Sequence, residues 1–276
     1  MLKIDAHQHF WQYEPVRDAW IGEDMATLRR DFQPADLAPL LHQHGFAGCV
    51  AVQADQSEAE TEFLLSLAAE HEFIRGVVGW VDLRAPGVDE RLEYYAQFDK
   101  LKGFRHILQG EADRALLLTP AFRRGIAALY RYGFAYDLLI LPDQLGYTAE
   151  LADTLSTQPF VVDHLAKPPI KSGAMEPWAK QIRALAACEN VLCKVSGLVT
   201  EADWHRWQPA DFRPYLDVVF EAFGTGRVMY GSDWPVCEVA GGYARALGLL
   251  EDYLRPFSAA EQAGFWGGTA VAFYRL

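Results

Sequence analysis

Short apolar runs recur along this chain, and stretches of helical periodicity separate them. The runs fall at 2–7, 48–53 (GCVAVQ), 76–81 (GVVGWV), 102–107 (KGFRHI), 133–139 (GFAYDLL), 160–164 (FVVDH), 191–196 (VLCKVS) and 227–232 (RVMYGS). Their hydrophobicity is nearly continuous rather than alternating, which is the pattern of parallel strands covered by helices on the outside. Between them lie helices with clear starts. Ser57-Glu58-Ala59-Glu60 reads as a capping box before Phe63, Leu64, Leu67 and Ala68. Thr119-Pro120 supplies an N-cap and an N1 proline, with Gly133 past the end. Pro34 to His44 reads as a helix closed by Gly45, 177–188 carries an apolar face, and Ser258-Ala259-Ala260-Glu261 opens the last helix with a second capping box.

Eight strands alternating with helices predict an α/β protein, a single (β/α)8 TIM barrel spanning 1–276 as one domain. No Gly/Ser linker or charge run divides the chain. The widest interval follows the first strand and holds Phe10, Trp11, Tyr13, Trp20 and Phe32, so an aromatic loop is expected over the barrel mouth. A doubly wound sheet is the alternative, but no G-x-G-x-x-G follows any strand.

Composition narrows the partners. A net charge of −12 argues against nucleic acid and anionic membranes, which need a positive footprint. The start MLKIDAHQ lacks a signal-type apolar stretch and no run reaches spanning length, so a cytoplasmic protein is expected. Cys49, Cys188, Cys193 and Cys237 show no zinc-type pairing, and reduced thiols are expected.

The chemistry gathers where the apolar runs stop. Active sites of such barrels lie at the C-terminal strand ends. His7 and His9 leave the first strand two residues apart, so alternation points them to one side. His42-Gln43-His44 repeats the same tripeptide at the end of a helix, where the two rings diverge and read as dipole-favoured C-terminal residues. The remaining ends carry Gln53 and Asp55, Trp80 and Asp82, Arg105 and His106, Tyr136 and Asp137, Asp163, His164 and Lys167, Lys194 and Ser196, then Ser232, Asp233 and Trp234. Asp137 and Asp163 read as caps or supports for a neighbour, and His106 equally as a packed histidine. The convergence of His7, His9, His164 and Asp233 is the strongest functional signal.

These residues resemble the sugar-lactonase branch of the amidohydrolase superfamily. The resemblance rests on His7-Gln8-His9-Phe10-Trp11, Lys102-Gly103-Phe104-Arg105-His106, Val162-Asp163-His164-Leu165-Ala166-Lys167-Pro168, Lys194-Val195-Ser196-Gly197, Tyr230-Gly231-Ser232-Asp233-Trp234-Pro235 and the closing Trp266-Gly267-Gly268-Thr269-Ala270. It implies hydrolysis of a small sugar lactone of the L-fucono- or L-rhamnono- type. Metal-dependent members place a histidine at the end of the fifth strand, where this chain reads Phe134-Ala135-Tyr136-Asp137-Leu138, and no bridging lysine is evident on the fourth strand. A site that requires no metal is therefore favoured, with one zinc on His7, His9, His164 and Asp233 as the alternative.

On this reading Asp233 takes a proton from water and returns it to the ring oxygen. His164, with His7 or His9, holds the carbonyl oxygen as charge develops on it. Arg105, His106 and Lys194 bind the substrate, and Trp11, Trp80 and Trp234 offer apolar faces to the sugar ring. Two rivals are a metal-dependent decarboxylase or aromatic-acid hydrolase on the same barrel, and a sugar-binding barrel without catalysis.

Overall fold

The computed structural model describes residues 2–276. All eight apolar runs form strands: β1 Lys3–Gln8, β2 Phe46–Val52, β3 Ile74–Gly79, β4 Leu101–His106, β5 Ala135–Leu138, β6 Phe160–Val162, β7 Val191–Val195 and β8 Val228–Tyr230. They pair in parallel in sequence order. A bridge between Gln8 and Trp234 joins the last strand end to the first, with His9 N–H donating to Trp234 O at 2.7 Å and Asp233 N–H to His7 O at 2.8 Å. These two bonds weld the His7–His9 segment to Asp233. Intervening helices include α1 Pro34–Gln43, α2 Glu58–Glu70, α3 Val88–Tyr95, α4 Pro120–Arg131, α5 Leu145–Thr154, α6 Trp178–Ala186, α7 Pro209–Phe223 and α8 Gly242–Leu254. Both predicted capping boxes place a serine oxygen on the N3 amide, Ser57 on Glu60 and Ser258 on Glu261.

The strand pleat sorts side chains into two cores. Cys49, Ala51, Val77, Phe104, Tyr136, Leu138, Phe160, Val162 and Cys193 face the helices. Ile4, Ala6, Val50, Val52, Val78, Ala135, Val161 and Met229 fill the barrel interior. Above that apolar layer the same inward positions turn polar, giving Arg105, Asp137, Asp163 and Lys194. On β1 alternation alone would turn His7 outward, since Ile4 and Ala6 face in. The pairing Asp5↔Cys49 and Gln8↔Ala51 sets three steps of β1 against two of β2. This bulge inserts a residue and brings His7 inside, a re-aiming that bulges commonly perform beside active sites.

The segment predicted as one last helix is instead divided. α9 (Ala259–Ala263) passes through a π-turn at Gly264–Gly268 into α10 (Thr269–Tyr274). The reason is contact: a Cβ on Gly267 would lie 2.1 Å from Leu2 O, so only glycine lets this turn press against β1. α10 then closes the bottom of the barrel, with Ala270 and Tyr274 joining the interior core. Among the described residues no helix is long and apolar enough to cross a membrane. All four cysteines are free, and three are buried.

Candidate active site

Four imidazole and carboxylate groups meet at the C-terminal mouth of the barrel. His7, His164 and Asp233 each offer a donor atom within 4.8 Å of the other two. Nε2 of His9 lies 3.2 Å from Nε2 of His7 and 3.4 Å from Oδ1 of Asp233. Nε2 of His164 lies 3.9 Å from the same Asp233 oxygen. All four residues are buried.

Backbone strain presents two of them. His164, Leu165, Ala166 and Lys167 take φ of 53°, 55°, 56° and 52°, a left-handed turn built without glycine, and Asp233 has φ 57°. L-residues visit this region at a cost, and such strain gathers at functional sites. Gly197 explains how the turn fits: with φ +61°, it passes so close that a Cβ would stand 2.6 Å from Nδ1 of His164 and 3.2 Å from Oδ2 of Asp233.

Hydrogen-bond partners set the ring orientations. Nδ1 of His9 lies 2.7 Å from Val52 O, and a carbonyl only accepts, so His9 donates there, which leaves Nε2 facing Asp233 as the ring's other polar atom and, in the neutral ring, the bearer of its lone pair. Nδ1 of His164 is 2.9 Å from Ser196 Oγ. Burial pushes the pKa of both His7 and His164 well below the usual imidazole range, so both rings are neutral at pH 7. Burial alone would raise Asp233, but His164, His9 and Lys167 outweigh it and hold this carboxyl below its ordinary range. Neutral nitrogens and an ionised carboxylate that converge in this way form a donor set suited to a divalent cation.

Beneath this cluster lies a second, wholly buried layer. Lys194 Nζ sits 2.5 Å from Asp137 Oδ2 and 3.2 Å from Asp163 Oδ1. Arg105 Nη1 donates to Asp163 Oδ2 at 3.0 Å, and its Nη2 and Nε donate to Gln53 Oε1 at 2.8 and 3.2 Å. Tyr274 O–H reaches both Asp137 oxygens at 2.9 Å. Two cations thus face two carboxylates. Burial raises Asp137 to about 6 despite Lys194, whereas Lys194, His7 and Arg105 overcome burial at Asp163 and hold it well below the carboxylate range.

A cavity of about 330 Å³ opens above the cluster. His9, Arg105, His164, Lys167 and Asp233 give it a polar side. Trp11, Trp20, Ile107, Leu139 and Val236 give it an apolar one, and Gln109 sits among them. The predicted aromatic loop does cover the mouth, through Trp11 and Trp20 packed edge-to-face at 6.0 Å.

The other sequence candidates stand apart from the cavity. His106 follows Arg105 on β4 and so points outward, packed edge-to-face on Phe122 at 5.4 Å. Its Nδ1 accepts from Trp80 Nε1 at 3.2 Å and its Nε2 donates to Glu111 at 2.7 Å, which occupies Trp80 as well. Trp234 is sealed between Phe10 and Phe32. Lys194 lies in the buried layer below. These four therefore do not line the cavity, contrary to the expectation of substrate contact. Residues that do line it but escaped notice, such as Ile107, Leu139 and Val236, are apolar residues beyond the polar strand ends, with nothing to separate them from core.

One supporting carboxyl makes the rim pH-sensitive. Glu60 Oε1 accepts from the backbone N–H of Ala54, which lines the cavity. Burial pushes Glu60 up from 4.5 to about 7. Below pH 4.5 the group is neutral in both folded and unfolded chains. As pH rises to about 7 the unfolded chain ionises first, and stability is lost, at most on the order of 3 kcal/mol. Glu60→Gln keeps the acceptor and removes the ionisation, so its melting temperature is expected to exceed that of the wild type at pH 8 and to match it at pH 4.5. Parallel melts at the two pH values check this, and an equal offset at both would refute it.

Comparisons with known proteins agree with this geometry. A family described as amidohydrolase matches residues 4–276. An L-fucono-1,5-lactonase of Burkholderia multivorans is 43% identical, with 100% of this chain and 96% of that protein covered. A crystal structure of an amidohydrolase from Burkholderia multivorans with bound zinc superposes with a TM-score of 0.96 at 42% identity, covering 100% of both chains. A dihydroxybenzoic acid decarboxylase from Polaromonas superposes over 100% of this chain and 97% of its own at a TM-score of 0.71 but 13% identity, which shows a shared barrel and nothing finer. The zinc-bound relative, with the His7–His164–Asp233 group here, favours a divalent metal, and the expectation of a metal-free site finds no support in either.

Proposed function

The chain belongs to the amidohydrolase family, and on that footing we propose that it opens a small sugar lactone of the L-fuconolactone class to the corresponding aldonic acid. The observation that carries the reading is the convergence of His7, His9, His164 and Asp233 on one focal point at the floor of a cavity sized for a single small molecule.

A lactone needs an activated water, a polarised carbonyl and a protonated leaving oxygen. Asp233 is ionised and open to the cavity, so it serves as the base that takes the proton of water as the oxygen bonds to the carbonyl carbon. When the carbon–ring oxygen bond breaks, Asp233 delivers the same proton to the departing alkoxide. Arg105 and Lys167 present positive charge to the carbonyl oxygen and then to the product carboxylate. Trp11, Trp20, Ile107, Leu139 and Val236 pack the apolar edge of the ring, including the methyl group of a deoxy sugar. His7, His164 and Asp233, with His9 beside them, would hold a divalent ion such as zinc, which when bound supplies Lewis acidity and a more acidic water.

A panel of L- and D-sugar lactones assayed by proton release near neutral pH tests the reading. L-fuconolactone is expected to be turned over at enzymatic rates. Activity on aromatic carboxylic acids with none on any lactone would replace this reading with the decarboxylase one.

A further inference from the structure

His7 stands between two sets of polar neighbours, and they demand different tautomers. Its Nδ1, Lys194 Nζ and Asp163 Oδ1 form a triangle with sides of 3.2 Å. Lys194 can only donate and Asp163 can only accept. When Lys194 donates to Nδ1, the ring proton must sit on Nε2. From there it points at Nε2 of His9, 3.2 Å away, whose lone pair is fixed by the bond from Nδ1 of His9 to Val52 O. That arrangement pairs His7 with His9 without any ion, leaves Arg105 Nη1 to donate to Asp163 Oδ2 alone, and leaves Asp163 Oδ1 with no hydrogen bond. When the proton sits on Nδ1 instead, it faces the carboxylate oxygen Oδ1 of Asp163 at 3.2 Å. Nε2 then turns a lone pair toward Arg105 Nη1 at 3.3 Å and toward the focal point shared with His9 and Asp233. Lone pairs of His7 and His9 and a carboxylate oxygen then face one another, an arrangement that favours a cation at the focal point in addition to the guanidinium of Arg105 beside it.

We propose that this triangle is a tautomer selector: Lys194 and Asp163 are positioning residues that hold His7 either as an Nε2–H donor in a metal-free site or as an Nε2 ligand in a metal site. The exchange moves one proton from Nε2 to Nδ1 and changes no net charge. Lys194 keeps its ion pairs with Asp137 and Asp163 in both forms, so the layer below stays balanced. Partners of this kind, one bond behind a ligand, commonly alter metal affinity by about 10–100-fold. Here the two partners act in opposite directions, because one blocks Nδ1 as a proton site and the other accepts the proton from it.

The inference rests on the reading of this cluster as a metal-capable hydrolytic site, but its test needs no turnover. Nitrogen-15 NMR of histidine-labelled protein, with the His7 signals assigned by their loss in His7→Gln, reads the tautomer in unmodified enzyme. The protonated nitrogen is expected to be Nε2 after chelation and Nδ1 after zinc is added. Zinc titration by equilibrium dialysis supplies the second arm. Lys194→Met is expected to tighten zinc binding about 10–100-fold, and Asp163→Asn to weaken it by a similar factor. Lys194→Met/Asp137→Asn keeps the buried charges balanced and serves if the single variant does not fold. A proton already on Nδ1 without zinc, shifts of the same sign in both variants, or no zinc uptake by the wild type would each overturn the selector while leaving lactone hydrolysis to be judged on its own assay.

Discussion

Asp233→Asn is expected to lower kcat on L-fuconolactone by about 10³-fold or more, while the far-ultraviolet spectrum and melting temperature stay near those of the wild type. Asparagine keeps the volume and the backbone bond to His7 O, so the weld between the two barrel ends survives. What it loses is the ability to take a proton. The neighbours of Asp233 make this loss hard to bypass. Nδ1 of His9 is spent on Val52 O and Nδ1 of His164 faces Ser196 Oγ, so the rings around Asp233 are held in place by bonds of their own. Steady-state kinetics beside a thermal melt check the prediction. A folded Asp233→Asn enzyme within a few-fold of wild-type kcat would remove Asp233 from the proton-transfer role.

The second large effect is on stability. Asp137→Ala should cost about 3–5 kcal/mol, because it leaves Lys194 in the barrel interior with only Asp163 to balance it. For a chain of this length the melting temperature is expected to fall by roughly 10 °C. Restoring apolar shape on both sides, as Asp137→Leu/Lys194→Met, should recover much of that loss, since the penalty comes from the stranded charge rather than from a missing attraction. Calorimetry of the single and double variants separates the two accounts. Equal destabilisation in both would mean that the pair itself stabilises the barrel.

The architecture was legible because its signal is distributed. Each apolar run needed only to be short, hydrophobic on both faces and followed by a helical period, and all eight became strands. The cluster was legible for the same reason: polar residues at strand ends stand out against apolar runs. Facing was harder to read. Arg105 and His106 look equivalent in sequence, yet strand alternation sends one into the barrel and the other out to Phe122. His7 reaches the interior through a bulge, whose presence depends on how β1 pairs with a strand some forty residues away. Asp163 was visible at a strand end as a support for a neighbour, whereas Tyr274 reaches Asp137 across the barrel and no local spacing announces it. The π-turn at Gly264–Gly268 follows from a close approach to Leu2, another non-local fact.

The left-handed turn at His164–Lys167 carries a consequence for durability. Four successive L-residues held there, with Asp233 in the same region, raise the local energy by about 1–2 kcal/mol each. Surrounding contacts must hold that buried segment against its own preference, so any loosening around it lets the backbone relax and carries His164 out of place. Warmed gradually, this protein should fall silent while still folded: catalytic power would fade at a lower temperature than the helices melt, and would return on cooling.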